Sequence, residues 1–168
     1  MRSKSGSGAG AAHGLGAAAI GGRLRRLSER IDEDCSRIYA ENGIAFEQRW
    51  LGLLHLLAAE GAQSVGTLAA KLGISHASVS QSRKSLQKAG LITSEADPKD
   101  ARSVRLRLSP AGKRLVARLS PIVEILRRVS VEANDEAGQP LAAIERLEQA
   151  MNRQSIYDRY QAMLKSAR

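Results

Sequence analysis

The chain of 168 residues and 18.0 kDa has the length of one domain with room for an appendage. Its hydrophobic content is 43%, yet it holds only five aromatic residues, so the core must be mostly aliphatic, which favours packed helices over aromatic-rich strands. A net charge of +9 points to a polyanionic partner, and the single cysteine, Cys35, excludes an internal disulfide or a cysteine-cluster metal site and fits a reducing compartment.

Residues 5–22 carry no Lys, Arg, Asp or Glu, but seven of them are Gly and only Leu15 and Ile20 are large and aliphatic. Such a stretch has too little transfer energy for a membrane span and lacks the apolar centre of a secretory signal. Residues 1–14 therefore read as a flexible Gly/Ala/Ser tail. Gly14 to Ala19 matches G-x-G-x-x-A, but no strand precedes it, so a dinucleotide-binding turn is set aside.

A first helix is expected over 15–42, where Leu24, Leu27, Ile31, Cys35 and Ile38 recur at spacings of three and four until Asn42-Gly43. A second covers Phe46 to Glu60, with Phe46, Trp50, Leu53, Leu54 and Leu57 on one face, and Gly61 stops it. Both aromatics lie on that apolar face, which makes them core rather than a base-stacking platform. A third, short helix spans Ser64 to Leu72 and breaks at Gly73. A fourth is capped by Ser75 and runs to Lys88 or Ala89, before Gly90.

Leu91 to Glu95 and Val104 to Leu108 read as two strands around a polar loop, 96–103. Arg105 and Arg107 share one face of the second strand. Ser109-Pro110 then starts a fifth helix, with a kink expected at Pro121 and a break at Gly138-Gln139-Pro140. One last helix follows, with Leu141, Ile144, Leu147 and Met151 in a stripe, and Tyr157 and Tyr160 beyond.

The charge is localised: +6 of the +9 lies in residues 75–114. A short helix and a glycine turn lead into that segment, which begins with a second helix. Ala69 is small enough for the crossing, Gly73 tolerates positive φ at the turn, and Leu68, Leu72, Ile74, Val79 and Leu86 supply the core between the helices. The second helix is read with an outer face of short polar groups, His76, Ser78, Gln81, Ser82 and Ser85. Such a face lets a helix enter a major groove about 12 Å wide. Arg83, Lys84 and Lys88 add charge, and the basic hairpin follows at once. The combination specifies a mainly α fold: a winged helix-turn-helix with flanking helices and a small β-hairpin wing.

These residues resemble the MarR (multiple antibiotic resistance regulator) family of bacterial transcription factors. The matching stretches are Leu68-Ala69, Leu72-Gly73-Ile74-Ser75, Val79-Ser80, Leu86 and Ala89-Gly90-Leu91-Ile92, then Asp97 to Ser103, then Leu106 to Gly112. The resemblance covers roughly 15–165 and is most specific over 64–112. It implies one domain over 15–168, with the winged helix-turn-helix at 44–112 and dimerisation helices at 15–42 and 110–168. It also implies a cytoplasmic homodimer that binds a pseudo-palindromic double-stranded operator, represses nearby genes and releases DNA on binding a small apolar or aromatic effector.

Helix 75–89 would lie in the major groove and wing 96–103 on the minor groove or phosphates. The expected DNA contacts are Ser75, His76, Ser78, Gln81, Ser82, Lys84, Lys99 and Arg102, with Gln81 the base reader, because an amide can pair with adenine through two bonds. Asp100 resembles the wing aspartate that braces an arginine in the family. Position 83, usually apolar there, is Arg83, and the wing has Ala101 beside a single Arg102.

Other chemistries find little footing. Cys35 sits on the apolar stripe between Ile31 and Ile38, and Asp32, Glu33 and Asp34 precede it, so a small buried hydrophobe is expected rather than a reactive thiol. His13, His55 and His76 share no ligand spacing, so no metal or other cofactor is expected. No activated nucleophile or phosphate-cradling glycine loop appears, and no enzyme is expected. A membrane surface would want a basic amphipathic helix with aromatic anchors, and single-strand binding would want stacking platforms. A head that only docks a partner helix would want aliphatics on the face at 76–85.

Overall fold

The computed structural model describes residues 13–97 and 100–167, with backbone only at 13–15 and 100–103, and its first α-helix is α1 (Ile20–Glu41). Most of the tail expected at 1–14 lies outside the described residues. The first helix starts later than its apolar pattern suggests. His13–Ala19 forms tight 3-10 turns interrupted at Gly16, whose φ of 50° no continuous helix accommodates. Its expected end holds, since Asn42 caps α1 and Gly43 leaves it at a φ of 64°.

After a single 3-10 turn at Gln48–Trp50 come α2 (Leu51–Glu60), β1 (Gln63–Ser64), α3 (Val65–Leu72) and α4 (His76–Lys88). Two strands follow, β2 (Ile92–Asp97) and β3 (Asp100–Leu108), and then α5 (Pro110–Glu136), α6 (Pro140–Arg153) and α7 (Ile156–Ser166). The expected mainly α fold with a small hairpin is thus present. The chain divides into two compact units, 1–114 and 115–168, and α5 runs from one into the other.

In the first unit the core forms where α1, α2, α3, α4 and the sheet meet. Tyr39, Leu53, Leu54, Leu68, Val79, Leu86 and Leu106 are buried almost completely. Tyr39, Phe46 and Trp50 pack together in this core. The ring of Phe46 stands edge-on to Tyr39 at 4.8 Å and to Trp50 at 5.8 Å, arrangements that suit the ring quadrupoles. The Tyr39 hydroxyl donates to Gln48 Oε1 at 2.7 Å, which satisfies the one polar atom that this ring carries into the interior.

Cys35 is buried on the same helix, as its place on the apolar stripe suggests. Burial first, and then the carboxylates of Asp32 and Asp34, push its thiol pKa up, the direction that disfavours the thiolate. The rest of the stripe is uncovered. Ile20, Leu24, Leu27 and Ile31 are 37–51% exposed in this single chain.

The sheet is antiparallel, with order β1-β3-β2. Gln63 and Ser64 pair with Leu106 and Arg105, a two-residue strand too short to carry a sequence signal. The hairpin is longer than the alternating pattern implies. Pairing continues from Ile92–Leu108 through Ala96–Val104 to a bulge at Ala96/Asp97 and then Asp97–Asp100, so most of the expected loop 96–103 is strand backbone. Main-chain pairing carries this strand through polar residues as far as Asp97–Asp100.

Helix α5 begins as expected. Ser109 Oγ accepts from the Gly112 amide at 3.0 Å and donates to the Gly90 carbonyl at 2.6 Å, tying the new helix to the turn after α4. Gly112 is required there, because a Cβ at this position would lie 2.0 Å from the Leu91 carbonyl oxygen.

In the second unit α5 continues past Pro121, with Leu119 buried. The single last helix expected after Pro140 is two helices. Ser155 and Asp158 form a reciprocal capping box that starts α7, and Gln154, with extended backbone, ends α6. Ile125, Val129, Leu141, Ile156, Tyr157, Tyr160 and Met163 are all more than half exposed. Among the described residues no helix is long and apolar enough to cross a membrane.

Candidate nucleic-acid interface

Two capped helices and a left-handed turn build the site. The Ser64 hydroxyl accepts from the Thr67 amide at 3.1 Å and starts α3. Gly73, at a φ of 64°, ends it, and the amide of Ile74 returns to the Ala69 carbonyl at 3.1 Å. The Ser75 hydroxyl then accepts from the Ser78 amide at 3.1 Å and starts α4. Leu68, Ala69, Val79 and Leu86 fill the angle between the helices, as their spacing predicts. Ile74 does not join them. It sits in the turn itself and is 40% exposed.

The phase of α4 decides which side chains face outward. Val79, Ser82 and Leu86 form its buried stripe. Trp50, from the turn before α2, donates its indole N–H to Ser85 Oγ at 2.8 Å, and that hydroxyl donates on to the Ser82 carbonyl at 3.0 Å. The opposite side, Ala77, Gln81, Lys84 and Lys88, is exposed.

The expected contact residues fall into three groups. Ser75, His76, Ser78, Gln81 and Lys84 are exposed at the start or on the outer face of α4. The hydroxyls of Ser75 and Ser78 lie 2.9 Å apart, so each is partly committed to the cap. Ser82 must be corrected. It is 5% exposed and belongs to the inner stripe, three residues from Val79 and four from Leu86. A serine at such a position satisfies the helix period without the apolar signal that marks a core residue. Ser85, read on the same outer face, also turns inward, to Trp50. Lys99 lies outside the described residues, as does the side chain of Arg102.

Two exposed positions complete the face. Ala77 sits one turn before Gln81 and Lys84, and Lys88 one turn after them. The row 77, 81, 84, 88 has helical spacing, but reading every polar residue as outward obscured it. The amides of His76 and Ala77 open the helix, where first-turn N–H groups have no intrahelical acceptor and the dipole favours an anion.

On the hairpin, the Arg105 guanidinium donates to the Ala62 carbonyl and fastens β3 beside β1. Arg107 pairs with Glu95 across the strands at 3.2 Å, well exposed to solvent. Neither is therefore a wholly free cation. Among the described residues no group of three or more His, Cys, Asp or Glu could hold a metal ion.

Comparison with known proteins agrees with this arrangement. A family model described as MarR family matches residues 45–103. No protein of curated function matches the chain by sequence. The S. aureus MepR–DNA complex shares the fold at a TM-score of 0.63 and 19% identity, over 76% of this chain and 94% of that one. PcaV, a transcriptional regulator from Streptomyces coelicolor solved with its natural ligand, is 22% identical with a TM-score of 0.60, over 74% and 90%. A probable transcriptional regulator from Pseudomonas aeruginosa is 27% identical with a TM-score of 0.57, over 74% and 94%. Residues 45–103 thus match the MarR family, and the chain shares the fold of solved transcriptional regulators.

Proposed function

We propose that the chain is a sequence-specific reader of double-stranded DNA that regulates transcription in the cytoplasm by binding and not by catalysis. The observation that carries this reading is the outer face of α4. It is made of small, polar and basic side chains, Ala77, Gln81, Lys84 and Lys88, on a helix held rigidly from behind by Trp50. A helix with such a face fits the major groove: Gln81 reads base edges, Ala77 is short enough to meet a thymine methyl, and Lys84 neutralises phosphate. Ser75, His76 and Ser78 lie where the helix start meets the backbone. Lys99 and Arg102 on the wing take the adjacent minor groove or its phosphates.

The uncovered apolar stripe of α1 and, separately, the exposed aliphatic and aromatic residues of α6 and α7 support a homodimer, since so many large apolar side chains are costly to leave in water. In that assembly helices 15–42 and 110–168 supply the interface. Repression relieved by a small apolar or aromatic effector completes the proposal. Its support is that PcaV, of similar fold, was solved with a natural ligand. Selection of bound duplexes from a random pool at stated salt tests the reading. Two symmetric half-sites about one helical turn apart are expected, and an asymmetric single half-site or no enrichment would overturn it.

A further inference from the structure

Arg83 is the cation of α4 that the outer face does not account for. It is half-buried, about 100° round the helix from Lys84. Its Nε donates to Gln87 Oε1 at 3.1 Å. The same amide donates through Nε2 to the Ser94 hydroxyl on β2 at 2.8 Å. Only one orientation of the Gln87 amide satisfies both bonds, because Arg can only donate. The chain Arg83–Gln87–Ser94 therefore ties the second half of α4 to the edge strand of the hairpin. Among the described residues, the two terminal guanidinium nitrogens of Arg83 have no partner, so the end of the side chain that forks toward an oxyanion is left open while its base is held.

We propose that Arg83 is a phosphate-binding residue of the DNA interface, set between the recognition helix and the wing, and that Gln87, held by Ser94, is the residue that positions it. This rests on the DNA-reading role of α4. An arginine ordinarily gives up much rotamer freedom when it grips a phosphate. Fixing Nε in advance leaves the two terminal N–H groups for a bidentate contact and removes part of that cost before DNA arrives. Because Arg83 faces the hairpin side of α4, the phosphate it meets belongs to the backbone between the groove that α4 enters and the strand pair. Its contribution is to affinity on every sequence, not to base choice.

The test is anisotropy titration of the full chain against a duplex selected from a random pool, over a range of salt, with circular-dichroism melts of each variant. Arg83→Met should lower the slope of log affinity against log salt by about 0.9 per bound head. Arg83→Lys should keep the slope, since the charge remains. Gln87→Leu should keep the slope but weaken binding about 3- to 10-fold, the cost of ordering one long side chain. In the Arg83→Met background Gln87→Leu should add nothing. Should Arg83→Met melt early, Gln87→Leu in the Arg83→Lys background carries the same test, because Lys has no Nε–H to hold and should lose no affinity.

An unchanged slope in Arg83→Met, or a Gln87→Leu loss of equal size in both backgrounds, overturns the proposal and marks the chain Arg83–Gln87–Ser94 as a purely structural brace. A wild-type chain that enriches no duplex from the pool sinks the DNA-reading role itself, a result distinct from either.

Discussion

The indole N–H of Trp50 and the hydroxyl of Ser85 are 2.8 Å apart across 35 residues of sequence, and this bond fastens α4 in the rotation that buries Val79, Ser82 and Leu86. Trp50 is buried beside Phe46, so its N–H would have no good alternative partner. Ser85→Ala should leave that donor unsatisfied and cost about 1–3 kcal/mol in urea unfolding. A variant as stable as the wild type would mean that the bond does not hold α4.

The same rotation separates two adjacent residues. Gln81 is exposed on the outer face, whereas Ser82 is buried against the core. Gln81→Ala should relax the sequence preference of selected duplexes, with a discrimination loss of about 1–3 kcal/mol at one base pair. Ser82→Ala should leave the preferred sequence unchanged. Altered preference in the Ser82 variant, with none in the Gln81 variant, would reverse the assigned phase.

Gly112 lies where the first turn of α5 meets the turn after α4. A Cβ there would stand 2.0 Å from the Leu91 carbonyl oxygen, and that oxygen already accepts from the Ser109 amide at 3.0 Å. Since the obstacle is backbone, relief requires the helix start to move. Gly112→Ala should lower stability by about 2–4 kcal/mol in thermal or urea unfolding, at the upper end of the overpacking range. A loss below about 0.5 kcal/mol would show that the helix start is free to shift.

Burial, and then the neighbouring Cys35, push the Tyr39 phenol up from 10.0 to about 12. The unfolded chain releases this proton first, so it binds fewer protons than the folded chain between the two values. The contribution of Tyr39 is therefore fully present below about pH 10 and is lost as the pH rises toward 12. Urea unfolding across that window should show a decline in stability that Tyr39→Phe flattens. An equal decline in the variant would remove Tyr39 as its source.

Glycines and caps made much of this architecture legible. Gly43, Gly61, Gly73 and Gly90 each leave a helix at positive φ, and Ser64, Ser75 and Ser109 mark the helix starts that their spacing suggests. The alternation of Val104 to Leu108 likewise marks the strand. What escaped reading was information held at long range. Ser82 and Ser85 look like surface residues until Trp50 arrives from another element. The two-residue β1 exists only because β3 lies beside it. The break between α6 and α7 rests on a capping box with Asp rather than Glu at its third position, a weaker mark than a glycine. At the interface, residue types pointed to DNA, but only the fold could sort the polar residues of α4 into inward and outward.

The placement of α4 in the major groove is the central claim, and replacing half-site purines of a selected duplex by their 7-deaza analogues tests it most directly. The substitution removes the N7 acceptor from the major groove and leaves the minor groove and phosphates intact. Affinity should fall by about tenfold or more, and Gln81→Ala should make the protein less sensitive to the change. Full affinity for a duplex with every half-site purine so replaced would contradict the account.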